Sequence, residues 1–99
     1  MVYATQIRMK PSYSNLSDIF LTLEDQLQEI DEIYLTGAPK EGWLKKKDVH
    51  DWLKLGNKAA VNIAPYPELI PAVSVNGEKY VHSSPNKNEH DNLLNLPKG

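Results

Sequence analysis

The dipeptide Asn76-Gly77, set between Ala72-Val73-Ser74-Val75 and Glu78-Lys79-Tyr80-Val81, constrains this chain more than any other stretch. Asn and Gly best tolerate the positive φ that both central residues of a type I′ turn require, and that turn matches the twist of paired strands. The flanks are β-branched and aromatic, as strands prefer. A two-residue loop pairs Val75 with Glu78 and Val73 with Tyr80. Val73, Val75 and Tyr80 are then expected to share one core-facing side, with Ala72 and Val81 on the other. A β-hairpin near the C-terminus is the first element of the fold.

The segment after the hairpin is unusual for a chain end. Residues 83–91 (Ser-Ser-Pro-Asn-Lys-Asn-Glu-His-Asp) are polar and turn-rich and read as a solvated loop. Leu93, Leu94 and Leu96 come directly after it. Chain ends are usually polar and frayed unless tied down, and each leucine gains about 1.5–3 kcal/mol if buried. Residues 91–97 are therefore expected to dock onto the body, with Asp91 or Asn92 capping the turn that aims the leucines. The competing expectation is an exposed docking peptide for another protein or a second copy of the chain.

These two segments carry a resemblance. The chain resembles a "domain of unknown function" family of short bacterial proteins that end in Lys-Tyr-Leu/Val, a polar Pro- and Asp/Asn-rich loop, and Asp-Asn-Leu-Leu-x-Leu-Pro. The matching residues are Lys79-Tyr80-Val81-His82, Ser84-Pro85-Asn86 and Asp91-Asn92-Leu93-Leu94-Asn95-Leu96-Pro97. Upstream, Val2–Met9, Lys45–Gly56 and Ala59–Ile63 are the counterparts of that family's first strand, its Lys/Asp-rich helix and the strand after it. Trp43-Leu44 stands where the family often opens the helix with Ser or Thr, and residues 11–29 look like added length. The resemblance implies a compact α+β domain of bacterial or phage-related origin. It implies no activity, and no catalytic residue is carried over from it.

Composition narrows the function classes. The 99 residues suit one small domain, and 40% hydrophobic with 24% charged content is that of an ordinary globular protein. A net charge of −2 does not single out a nucleic-acid backbone or an anionic membrane as partner. No apolar run approaches the length of a bilayer span, and the N-terminus lacks the basic start and apolar core of a signal peptide. With no cysteine there is neither a disulfide nor a thiolate site. A cytoplasmic location is expected.

Along the chain, Val2–Met9 alternates in the manner of a half-buried strand. Leu16, Ile19, Phe20, Leu23, Leu27 and Ile30 then recur at helical steps, with Ser14, Asn15 or Ser17 as caps. A helix over residues 16–29 is favoured, and a strand through Ile19–Leu23 is the rival. Ile33–Thr36 is β-prone and stops at Gly37-Ala-Pro39. A second helix is expected over Lys45–Leu55, with Val49, Trp52 and Leu53 on its core face and Gly56-Asn57 as its stop. A strand over Ala59–Ile63 and a stiff connector fenced by Pro65, Pro67 and Pro71 complete the path, with Leu69 and Ile70 packing beneath. The expected class is α+β: a single-domain sheet of about four to five strands with a C-terminal β-hairpin, packed against one or two helices in the order β-α-β-α-β-β-β.

Charge is segregated. Asp18 to Glu32 holds six acids and no base, whereas Lys40 to Lys58 holds six lysines and three acids. Solvated helix faces are the plain explanation. The sharper one is that Lys45, Lys46 and Lys47 bind an acidic or phosphorylated partner. These lysines oppose the helix dipole at a mild cost.

Candidate chemistry is sparse. His50, His82 and His90 lack metal-ligand spacing, and a site from His82, His90 and Asp91 is weaker than three surface histidines; His50 is expected to face outward. No nucleophile elbow, P-loop or dinucleotide fingerprint occurs, so no catalytic residue, cofactor or metal is assigned. Trp43, Tyr66 and Tyr13 lie in or beside expected loops, as interface anchors or as caps on a small core. The function is unknown from sequence, with two readings kept. The favoured one is a non-catalytic protein-interaction module, meeting a protein partner or self-associating through a sheet edge or through Trp43 and Tyr66. The alternative is a nucleic-acid accessory protein using Lys45, Lys46, Lys47, Lys54 and Lys58. Partner-contact residues are Trp43, Lys45, Lys46, Lys47 and Tyr66, with no membrane role.

Overall fold

A computed structural model describes residues 1–10, 23–37, 41–84 and 92–99, and these described residues form six strands, two α-helices and a terminal 3-10 turn. They run β1 (Val2–Met9), α1 (Leu23–Gln28), β2 (Ile30–Thr36), β3 (Gly42–Lys45), α2 (Lys46–Lys54), β4 (Ala59–Val61), β5 (Leu69–Val73) and β6 (Lys79–Ser83), then the 3-10 helix Asn92–Asn95. The α+β class holds. The strands divide into a four-stranded sheet ordered β3-β2-β1-β4 and a two-stranded sheet β5-β6. Among the described residues, no helix is long and apolar enough to cross a membrane.

β1 is interior to the larger sheet, antiparallel to β2 and parallel to β4. Its alternation does not run cleanly. Val2 and Ala4 are buried, and so is Ile7, three positions on. A bulge between Ala4 and Gln6 supplies the extra residue that changes the phase, so that both ends of the strand face the core. The same place marks a change of partner on the other edge. Ala4 accepts from the Asn62 amide at 2.9 Å. Ile7 instead donates to the Pro97 carbonyl at 3.0 Å and accepts from Gly99 at 2.8 Å. The terminal segment therefore adds to the sheet where β4 leaves off. Leu93, wholly buried, and Leu96 join the core alongside Ile30, Ile33, Leu35, Val49 and Val61.

The hairpin corrects the sequence reading. Ala72 pairs with Tyr80 and Val73 with Lys79, one residue out of the expected register. The loop is longer: Ser74 donates to the Glu78 carbonyl at 2.9 Å and accepts from Gly77 at 2.9 Å. Asn76 and Glu78 amides also donate to the Ser74 hydroxyl, at 3.3 and 3.1 Å. Gly77 alone takes positive φ, at 85°, as in a three-residue loop with a bulge glycine rather than a type I′ turn. A one-residue slip exchanges the faces. Tyr80 is buried as expected, but Val73 is exposed and Val75, at 99%, wholly so.

Other expectations shift for identifiable reasons. Trp43 lies on β3, an edge strand too short to announce itself by periodicity. Leu69-Ile70-Pro71 is strand rather than connector, with Pro71 in a two-stranded sheet where a missing ladder donor is tolerated. On α2, Val49 and Leu53 are buried, but Trp52 is only half-buried and His50, expected outside, is 4% exposed. The helix packs against β5 and β6 as well as β2 and β3, so its buried arc is wider than one apolar stripe. α1 supports the helical alternative over its described span. Residues 16–22, with Tyr13, His90, Asp91 and the loop 85–91, lie outside the described residues.

Two measurements test this architecture. Leu93→Ala should destabilise the domain by about 2–5 kcal/mol in urea melts, as a large-to-small change at a closed core position does. A near-native midpoint would show that the terminal turn does not support the core. Gly77→Ala should cost about 1–2 kcal/mol, because an L side chain at that φ crowds its own carbonyl, whereas Val75→Thr should leave stability unchanged.

Candidate functional site

At the junction of β3 and α2, the chain passes from extended to helical backbone within one residue, Lys45, at φ −62 and ψ 145. Three consecutive lysines straddle that change, so their side chains leave in different directions. Lys45 reaches back along the sheet to Asp31, at 3.3 Å to either carboxylate oxygen. Lys46 turns inward and is 8% exposed. Lys47 points to solvent and has no ion-pair partner among the described residues.

The lysines border a cleft of about 620 Å³, completed by Lys10 from the end of β1 and by Gly77, Glu78 and Lys79 from the hairpin. Five lysines and two carboxylates, Asp31 and Glu78, line it. Glu78 is the hub. Its carboxylate accepts from Lys46 Nζ at 2.7 Å and from Lys10 Nζ at 3.4 Å. Lys46 Nζ also donates to the Gln28 carbonyl, tying the end of α1 to the start of α2. Beside the cleft, Asp51 accepts from Lys79 at 2.9 Å and lies 3.0 Å from His50 Nδ1.

Burial pushes the Lys46 ammonium below the ordinary lysine value, and the neighbouring Lys10 charge adds to this; Glu78 opposes the shift without cancelling it. Burial alone would raise the Glu78 carboxyl. The hydrogen bond and charge of Lys46, joined by Lys10, outweigh it and hold the group below its ordinary value. The Lys79 hydrogen bond, then that of His50, lowers Asp51. Chemically the cleft presents an excess of positive charge, five lysines to two carboxylates. Its lining comprises ammonium groups, two carboxylates and one glycine. Among the described residues, no three His, Cys, Asp or Glu side chains gather as metal ligands.

Of the residues singled out from sequence, Lys45, Lys46 and Lys47 line the cleft, whereas Trp43 and Tyr66 do not. Trp43 packs edge-to-face on Tyr34, ring centroids 5.4 Å apart, with the Arg8 guanidinium 3.9 Å above its ring. Tyr66, exposed, meets Tyr3 edge-on at 6.2 Å. Trp43 lies on β3, at one edge of the sheet, and Tyr66 follows β4, at the other edge. Lys54 and Lys58 are also absent from the lining. Sequence reasoning missed Lys10, Asp31, Glu78 and Lys79. The last two flank the turn dipeptide and were legible as hairpin residues, but nothing local connects Lys10 to them.

A family model described as "Protein of unknown function (DUF3892)" matches residues 24–97, and the chain belongs to that family. No curated protein and no solved structure matches the chain.

The ion pairs set an acid limit with a definite sign. Glu78 and Asp51 have folded-state values below their ordinary 4.5 and 3.8. Their stabilisation is complete above those values and is lost as pH falls through the lower folded-state values. Lys46 acts in the same direction but in the alkaline range and as a cost at neutral pH: its depressed value makes stability rise with pH between the lowered folded-state value and 10.5, the window in which the unfolded chain holds the proton more tightly. Thermal melts on acidification should show a shallower acid limb in Glu78→Gln than in wild type. Superimposable acid limbs would mean that the Glu78 pairs contribute nothing to stability.

Proposed function

We propose that this member of a family of unknown function is a small, non-catalytic, single-domain interaction module that holds an acidic segment of a partner protein in the lysine-lined cleft. The observation that carries the reading is the convergence of Lys45, Lys46 and Lys47 with Lys10 and Lys79, which come from separate parts of the chain, around one concavity. Protein interfaces use such charge complementarity to steer encounter and fix register. A cytoplasmic setting and the bacterial or phage-related origin that the sequence resemblance implies belong to the same reading.

A protein partner is favoured over nucleic acid by the arrangement of the charges. Phosphate backbones are tracked by continuous basic surface. Here Asp31 and Glu78 interrupt the lysines, and Lys45 and Lys79 are each paired with a carboxylate, at 3.3 and 2.9 Å. Self-association through Trp43 and Tyr66 draws less support, because each ring already packs edge-on against a tyrosine of its own chain, Tyr34 and Tyr3.

A labelled oligoglutamate peptide should bind the wild-type protein in low salt, and Lys47→Glu should abolish that binding without lowering the melting temperature. Random DNA and RNA should give no mobility shift. A steeply salt-dependent shift with either nucleic acid, and none with oligoglutamate, would transfer the cleft to phosphate recognition.

A further inference from the structure

Lys46 is too buried to be left without an anion, and Glu78 meets that need from the rim rather than from beneath. The Lys46 side chain is 10% exposed while that of Glu78 is 37% exposed, so one member of the pair is fixed and the other faces solvent. The backbone of Glu78 is independently anchored. Its amide donates to the Ser74 hydroxyl at 3.1 Å and its carbonyl accepts from the Ser74 amide at 2.9 Å. The side chain can therefore swing away without disturbing the turn. It also bridges two cations at once, Lys46 at 2.7 Å and Lys10 at 3.4 Å. That is the placement a carboxylate from outside would need on entering the cleft.

We propose that Glu78 is an internal stand-in for the partner's acidic group, and that a single Asp or Glu side chain of the bound segment displaces it from Lys46 and Lys10. This rests on the acidic-segment reading above and adds the seat within the cleft and the chain's own competitor for it. The exchange is chemically even. One carboxylate replaces another on the same two ammonium groups, so the buried lysine is paired in the bound state as in the free one, and the cost of a broken buried pair falls only on the minor open state. The released Glu78 regains water. The remaining lysines, Lys45, Lys47 and Lys79, then hold the flanking acids of the segment. Occupancy of the seat by Glu78 reduces apparent affinity by the fraction of molecules in which the seat is open.

The test is a titration of labelled oligoglutamate into wild type, Glu78→Gln and Glu78→Gln/Lys47→Glu, together with carbon-detected NMR of the Glu78 carboxyl in wild type. Removing the competitor should tighten binding by about tenfold if the seat is open in about a tenth of wild-type molecules, and the added Lys47→Glu should abolish binding, as it should alone. In wild type, saturating peptide should move the Glu78 carboxyl resonance to the position of a solvated glutamate. Equal affinity of wild type and Glu78→Gln, or a Glu78 resonance that stays fixed at saturation, overturns the displacement while leaving the cleft as the binding site. Absence of binding in every protein overturns both. Should Glu78→Gln fail to fold, the wild-type resonance decides alone.

Discussion

Everything else in the fold is arranged around β1, whose two edges are both occupied. One edge pairs with β2 along its length, and the other is shared between β4 near Ala4 and the terminal segment at Ile7. The bulge between Ala4 and Gln6 makes this possible. It keeps Val2, Ala4 and Ile7 on the core side across a change of phase and coincides with the change of edge partner. Strand edges left open are sites of unwanted pairing, and here the C-terminal segment covers the stretch that β4 does not reach. Leu93 and Leu96 hold that segment by burial, and the Ile7 hydrogen bonds fix its register.

With the sheet so defined, α2 must bridge it to the separate β5-β6 hairpin, and Lys46 stands at the crossing. Its ammonium meets the end of α1 through the Gln28 carbonyl and the hairpin through Glu78. Buried ion pairs are weak evidence for stability, because desolvation offsets much of the attraction. The lowered value of Lys46, in spite of its carboxylate partner, shows that cost in this molecule. A pair that stabilises little but aligns three elements suits a binding site, since it can exchange partners without unfolding the domain.

The contrast between the lysines and the aromatics has its origin in the same geometry. Trp43 packs against Tyr34 and Arg8 on the sheet, contacts that engage part of its ring within the chain itself. The lysines sit where a strand becomes a helix, and a chain that changes its repeat there fans consecutive side chains apart. Lys45, Lys46 and Lys47 thus share a cleft while making three different sets of contacts.

Local pattern alone determined the α+β class, the span Val2–Met9, the Val49 and Leu53 core face of α2, and the presence of a hairpin around Asn76-Gly77. Each depends on a repeat or a turn chemistry contained in a few consecutive residues. The hairpin register was not determined that way. Asn-Gly suits both a two-residue and a three-residue loop, and the hydroxyl of Ser74, which accepts from the Asn76 and Glu78 amides, braces the longer one. The burial of His50 and the partial exposure of Trp52 likewise needed the hairpin to be seated on α2. The cleft was half legible: three of its lysines stand together in the sequence, whereas Lys10 and Glu78 are separated by most of the chain. Only the fold brings them within 3.4 Å, because ion pairs across a sheet and a hairpin leave no periodic trace.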